Sequence, residues 1–202
     1  MNRRAAGWIL GIALILVLGG AAWWWWQQQQ AAGRHGRRGH GEAAGAGAPL
    51  ETQAFDLYFP SSGGGLRAER RELKVTDAPK DRIRKVVEAL LAGPAGHAGP
   101  PAAATASGLV RPLPPEVKLG DVQLGADGTA FVDLRWPEHE DPPESGSTEE
   151  IQRIYSLVNT VAFNVPQATR IVLLWNGTQR LTFSGHIDTS RPLLPDRTLL
   201  TP

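Results

Sequence analysis

The order of apolar and polar positions after Glu51 predicts strands and helices in alternation. Ala54 to Phe59 sets Phe55, Leu57 and Phe59 against Asp56 and Tyr58, then stops at Pro60. A period of two predicts a half-buried strand. Ser61 to Gly65 forms a glycine-rich turn, and Leu66 to Val75 predicts the returning strand, with charged residues on its outer face. The glycines are not followed by the Lys-Ser/Thr of a phosphate loop, so they predict a hairpin tip. The period then changes. Pro79 and Lys80 open a helix whose Ile83, Val86, Val87, Leu90 and Leu91 form one stripe, and Gly93-Pro94 ends it. Burying that stripe contributes about 8–15 kcal/mol before the cost of chain ordering.

Gly93 to Gly108 is an Ala/Gly/Pro loop. Val117 to Leu124 and Thr129 to Leu134 alternate around Ala126-Asp127-Gly128, which predicts a second hairpin closed by Trp136-Pro137. Glu138 to Ser145 is acidic and proline-rich, as in an exposed loop. Ser147 and Glu150 spell the S-x-x-E capping box of a helix start. Ile151, Ile154, Tyr155, Val158, Val161 and Ala162 follow on one face, and Pro166 ends the helix. Ile171 to Trp175 is a β-branched apolar run, predicting a strand covered on both faces. Asn176-Gly177 supplies a tight turn from which Gln179 to Phe183 returns antiparallel, a third hairpin. The tail beyond Asp188 is expected to pack along the domain without regular structure. Hairpin, helix, hairpin, helix, hairpin predicts an α+β fold, with two helices on a small antiparallel or mixed sheet in a two-layer sandwich.

Ala5 to Trp26 contains no charged residue and follows Arg3 and Arg4. It is long enough to cross a bilayer core of about 30 Å as a helix, and Trp23 to Trp26 suit the headgroup zone at its end. An uncleaved anchor is the preferred reading. The small residues Gly19 to Ala22 leave a cleavable signal peptide as its competitor. Arg34, Arg37 and Arg38 nearly balance the arginines before the span, so charge does not decide orientation. A four-residue head on a short tail favours that end inside and the domain exported. Residues 1–4 are then a cytoplasmic tail, 5–26 a transmembrane helix and 27–52 a flexible linker. Residues 53–195 form the domain and 196–202 a tail. The linker spans on the order of 25–30 Å as a coil. Its Arg34-His35-Gly36-Arg37-Arg38 run is read as a solvated basic spacer rather than a headgroup or polymer site.

Charge sharpens this division. Five Arg against Glu42 give +4 up to Pro49, while the remainder carries sixteen Lys/Arg against nineteen Asp/Glu, or −3. A mildly acidic domain argues against nucleic acid as a partner. The absence of cysteine excludes disulfides, thiol chemistry and zinc–thiolate sites.

Several strings taken in order resemble the GerMN domain family of bacterial sporulation and germination proteins. They are Leu57-Tyr58-Phe59 followed by Leu66 and Arg70, Ala89 to Pro94, Leu113-Pro114 before Val117, and Ala130 to Leu134. Ser156 to Val161, Asn176-Gly177 and Gly185-His186-Ile187-Asp188 complete the series, so the resemblance covers Phe55 to Leu194. It implies an extracytoplasmic, membrane-tethered domain with a ring-building-motif-like α/β fold, serving envelope-complex assembly rather than catalysis. Other relatives accompany peptidoglycan amidases or are lipoproteins tied to envelope signalling. This chain differs in its single copy, its anchor without a lipobox cysteine, and its Ala/Gly-rich loop.

Candidate chemistry is sparse. His186 and Asp188, two apart, could act as metal ligands or an acid–base pair, but the sequence shows no convincing third ligand. The competing expectation is that Gly185 makes a turn and both side chains bond nearby backbone. Ser156, Asn159 and Thr160 lie away from or beside the apolar stripe; Asn159 and Thr160 are expected to bond a neighbouring strand or loop backbone, with a ligand facing all three as the alternative. Asn176-Gly177-Thr178 matches a glycosylation acceptor but is read as a turn. Glu138, Glu140, Asp141 and Glu144 lack calcium-loop spacing. No hydrolase, metalloprotease or nucleotide motif occurs, so neither metal nor cofactor is expected. The leading expectation is a non-enzymatic interaction or scaffold module at the outer face of the cytoplasmic membrane, with envelope proteins or a second copy as partners. The alternatives are a peptidoglycan or small-ligand binder stacking on Tyr58, Trp136 or Trp175, and a hydrolase built on His186 and Asp188.

Overall fold

A computed structural model describes residues 49–95 and 108–202, all within one compact unit, Ala48–Pro202. The predicted span Ala5–Trp26, most of the linker and most of the Gly93–Gly108 loop lie outside the described residues. Among the described residues, no helix is long and apolar enough to cross a membrane.

The first hairpin is a ribbon of β1 (Glu51–Pro60) and β2 (Leu66–Val75), antiparallel in register from Glu51↔Val75 to Pro60↔Leu66. β1 starts earlier than the alternation indicates because Glu51 to Ala54 are all exposed and show no apolar rhythm. Only pairing with β2 keeps them extended. Helix α1 (Pro79–Leu91) buries Ile83, Val86, Val87, Leu90 and Leu91 as expected. It has no basic residue in its last turn, so its free carbonyls are met from afar. Arg111 donates to the Leu91 carbonyl (2.6 Å), and Arg71 to the carbonyls of Ala89 (3.2 Å) and Gly93 (2.7 Å). Gly93 takes φ +88°, and a Cβ there would sit 2.9 Å from the Arg111 guanidinium carbon. Only glycine fits.

A second sheet holds β3 (Lys118–Leu124), β4 (Thr129–Arg135) and β5 (Arg170–Trp175) in that order. β3 pairs antiparallel with β4, with an irregularity between Leu119 and Val122. β4 pairs parallel with β5, and the connection between them carries helix α2 (Ser147–Asn164). The fold is α+β, with two helices and two small sheets. The single predicted sheet is corrected to two: side chains of α2 occupy the edge of β1, and no strand among the described residues pairs with the other edge of β2.

That docking explains how α2 is buried. Ile154, Val158 and Val161 are enclosed, but so are Glu150, read as a capping residue, and Ser156, Asn159 and Thr160, which the sequence places away from or beside the stripe. Gln152 donates to the Gly65 carbonyl (3.2 Å) and Ser156 to that of Tyr58 (2.5 Å). Thr160 accepts from Tyr58 N (3.0 Å), and Asn164 both accepts from Asp56 N (3.0 Å) and donates to its carbonyl (2.7 Å). The expected bonds to strand backbone are present. Asn159 instead joins the C-terminal tail, bonding Asp196 N (2.9 Å) and its carbonyl (2.8 Å).

Two local expectations are overturned. The helix N-cap is Gly146 and no side chain caps it, so Ser147 and Glu150 form no capping box. The third hairpin also does not form. Asn176 (φ +50°) and Gly177 (φ +82°) turn the chain and Trp175 bridges Thr178, but Gln179 to Phe183 then leaves β5. The cause is competition: β4 holds one edge of β5, and Leu193 bonds both N–H and C=O of Ile171 on the other (2.8 and 2.7 Å). The tail thus adds bridges at Ile171 and, through Leu200, at Leu66, with a short 3-10 turn at Arg197–Leu199. Removing the hydroxyl that serves Tyr58 N tests the docking. Thr160→Val is expected to lose about 1–2 kcal/mol in urea unfolding, and Thr160→Ser distinctly less.

Candidate functional site

The most concentrated chemistry in the described chain surrounds Glu150, one turn inside α2 and fully buried. Its Oε1 accepts from Ser184 N (2.7 Å) and Ile187 N (3.2 Å). Its Oε2 accepts from His186 N (2.8 Å) and faces His186 Nδ1 (2.8 Å). Gly185, at φ +102°, lets the loop fold back so that these N–H groups converge on one carboxylate. Burial by itself raises the Glu150 pKa, but the Ser184, His186 and Ile187 N–H bonds and the His186 ring outweigh it, leaving the pKa below the usual glutamate value. The carboxylate therefore stays charged in the folded state and fastens the loop.

A histidine paired with a buried carboxylate forms part of a hydrolytic triad. Here the neighbouring hydroxyl is turned elsewhere, because Ser184 Oγ donates to the Pro143 carbonyl (2.9 Å). Asp188 does not meet His186 either. Its Oδ1 accepts from Ser190 N (2.9 Å) and Ser190 Oγ (2.6 Å), which hold its pKa down. Among the described residues, no group of three or more His, Asp or Glu is placed to hold a metal.

The aromatic candidates divide into two neighbourhoods. Tyr58, half-buried on β1, meets Phe163 edge-on at 5.5 Å, and the Arg197 guanidinium lies 4.5 Å from the Phe163 ring centre. Burial and then Asp56 raise the Tyr58 pKa, partly countered by Arg197. Trp136, also half-buried, packs on His139 at 3.6 Å and on Trp175 at 6.5 Å. Trp175 itself is 1 % exposed and presents no ring face for stacking. Its Nε1 donates to the His139 carbonyl (3.1 Å), and Asn176 bonds Trp136 N and its carbonyl (2.9 and 3.2 Å). Asp133 Oδ1 accepts from Gly177 N (2.7 Å), completing a rigid corner. Ser156, Asn159 and Thr160 are buried and engaged as described above, so they face no solvent-filled pocket.

Beside the Glu150 clasp lies an open cavity of about 560 Å³, lined in part by Asp141, Glu144, Arg180, Leu181, Ser184 and Gly185. Arg180 is already committed there, paired with Asp141 (3.1 Å) and donating to the Glu140 carbonyl. A second opening of about 340 Å³ lies between the hairpin tip, the Val110–Pro112 stretch and the first turns of α2. Neither cavity brings a nucleophile to a base. Among the described residues the arrangement holds the loop after β5 against α2.

The family then follows. Residues 56–181 match the Germane family, described as sporulation and spore germination. The chain belongs to this family. The GerMN resemblance read from the sequence is thereby shown. Among solved structures, the first GerMN domain of the sporulation protein GerM from Bacillus subtilis is similar at 19% identity and a TM-score of 0.54. The match covers 72% of this chain and 99% of that one. The tandem GerMN domains of the same protein are similar at 17% identity and a TM-score of 0.48, over 72% of this chain and 45% of that one. A presumptive lipoprotein from Clostridium perfringens is similar at 20% identity and a TM-score of 0.48, over 71% of this chain and 87% of that one. At such identities the likeness is one of fold. No curated protein matches the chain.

Sequence reading missed Glu150 as a buried anchor, although a signal was there. Glu150, Ile154, Leu157 and Val161 recur at helical spacing, which puts a carboxylate in phase with the core stripe. Glu150→Gln is expected to cost about 2–4 kcal/mol, since it leaves converging N–H donors facing an amide. The pH dependence follows from the lowered pKa. Between the folded and unfolded values the unfolded chain binds more protons, so the Glu150 contribution is complete above the ordinary glutamate range, about 4.5, and fades as pH falls below it. Urea midpoints measured from pH 7 to pH 3 should fall less steeply for Glu150→Gln than for the parent.

Proposed function

We propose that this chain is a non-enzymatic, membrane-tethered interaction module on the extracytoplasmic side, supporting assembly of an envelope protein complex. The observation that carries the reading is how the domain spends its polar side chains. Glu150, Ser156, Asn159, Thr160, Asn164 and Asp188 all serve the chain's own backbone. What faces outward is a charged strand edge and an acidic loop, the materials of a contact surface. Membership of the Germane family supports the same reading, as does the uncharged Ala5–Trp26 segment, which suits a single-pass anchor. With two helices against small sheets, the domain suits the ring-building-motif-like sandwich that the GerMN resemblance implies.

Photo-crosslinking of the full-length chain in native membranes tests this directly. Covalent products with an envelope protein, or with a second copy, are expected. If no adduct forms and the detergent-solubilised protein shows no association, the reading fails. Retention on purified peptidoglycan, abolished by Trp136→Ala, would instead favour the glycan-binding alternative.

A further inference from the structure

The β1–β2 ribbon leaves one row of backbone groups without a strand. Asp56 and Tyr58 give both N–H and C=O to α2, so the even-numbered residues of β1 point away from β2. The register Phe55↔Arg71 then turns the even-numbered residues of β2 away from β1. The bond from Thr201 N to the Leu66 carbonyl (2.8 Å) agrees with this parity. Ala68, Arg70, Glu72 and Lys74 therefore direct N–H and C=O outward, and no strand among the described residues pairs with them. All four side chains are exposed, and Arg70, Glu72 and Lys74 make no ion pair among the described residues.

Such an edge accepts another strand, and its charges say which one. The antiparallel alignment that lays these four residues over themselves is centred on Arg71. It sets Arg70 against Glu72 of a second copy and Glu72 against its Arg70, while Ala68 meets Lys74 in both directions. A slip of two residues one way opposes Arg70 to Arg70; a slip the other way opposes Glu72 to Glu72. Charge thus selects the register that geometry completes. The row extends into β1, where Asp56 lies opposite Arg70, giving acid, base and acid across three strands. Arg71, which would face its own copy at the axis, lies on the other face of the ribbon. Its charge is already met, because Nε donates to Glu69 (2.6 Å) and its guanidinium holds the carbonyls of Ala89 in α1 and Gly93 just beyond it.

We propose that β2 pairs antiparallel with β2 of a second copy, centred on Arg71, joining two ribbons into one four-stranded sheet. This rests on the interaction-module reading and names a second copy as its partner.

The chain has no cysteine, so introduced thiols report alone. Full-length Ala68→Cys and Lys74→Cys chains, differently tagged and co-expressed, are oxidised in the membrane. In the proposed register these positions form a hydrogen-bonded pair with Cα atoms about 5.5 Å apart, within disulfide reach. A mixed 68–74 disulfide should dominate over 68–68 and 74–74 products. Adding Arg70→Glu or Glu72→Arg to both chains should cut its yield about tenfold, and the two changes together should restore it. Thermal melts would confirm that these exposed changes leave the fold intact. Equal yields of mixed and like-with-like products, or a charge-swapped pair as weak as either single change, would overturn the proposal. A silent 68–74 pair, alongside photo-crosslinks to a different envelope protein, would overturn self-pairing while leaving the interaction-module reading standing.

Discussion

A helix lying along the open edge of a strand is the constraint on which this domain depends. Gln152, Ser156, Thr160 and Asn164 are spaced four residues apart on α2, and each bonds the backbone of the β1–β2 ribbon. The spacing works because the two periodicities nearly match. Four helical residues rise roughly 6 Å, and two strand residues advance about 6.8 Å. A short polar side chain from each helical turn can therefore reach the outward groups of a strand. β1 satisfies its edge without a neighbouring strand, and among the described residues β2 beyond Leu66 is the edge of the ribbon that no strand pairs.

The other polar groups of α2 extend the same logic to the end of the chain. Glu150 gathers Ser184 to Ile187, and Asn159 holds Asp196. The segment after β5 has little regular structure of its own, so its backbone has to find partners elsewhere. One helix provides them at two points, and the bridges of Leu193 to Ile171 and Leu200 to Leu66 provide two more. The likeness to a GerMN domain is a likeness of this framework.

Much of the framework could be read from the sequence because its signals are local. Pro79 and the Ile83–Leu91 stripe marked α1, and Gly93 its end. Asp127-Gly128 marked the turn between β3 and β4. What escaped was non-local. Asn176-Gly177 makes the turn it promised, yet whether a strand follows is decided by Leu193, which reaches the β5 edge first. Ser147-x-x-Glu150 has the letters of a cap, but the groups that claim Glu150 lie more than thirty residues away. The i, i+4 run from Gln152 to Asn164 was present in the sequence as a second, polar stripe. Its meaning required knowing that β1 would lie beside it. Ser156 and Thr160 bond strand backbone and Asn159 bonds the tail, while Trp175 belongs to the core.

The separation between α2 and β1 also bears on how the protein folds. Asp56 and Tyr58 are joined to residues 98 to 108 positions later in the chain. Loop closure over that distance is slow compared with forming the hairpin, whose strands are joined by a short turn. As synthesis proceeds from the amino terminus, the ribbon is complete long before its helical cover exists. For that interval both of its edges are open. The β1 edge, backed by Phe55, Leu57 and Phe59, is where misassociation of the nascent chain would begin, and where a chaperone would have most to protect.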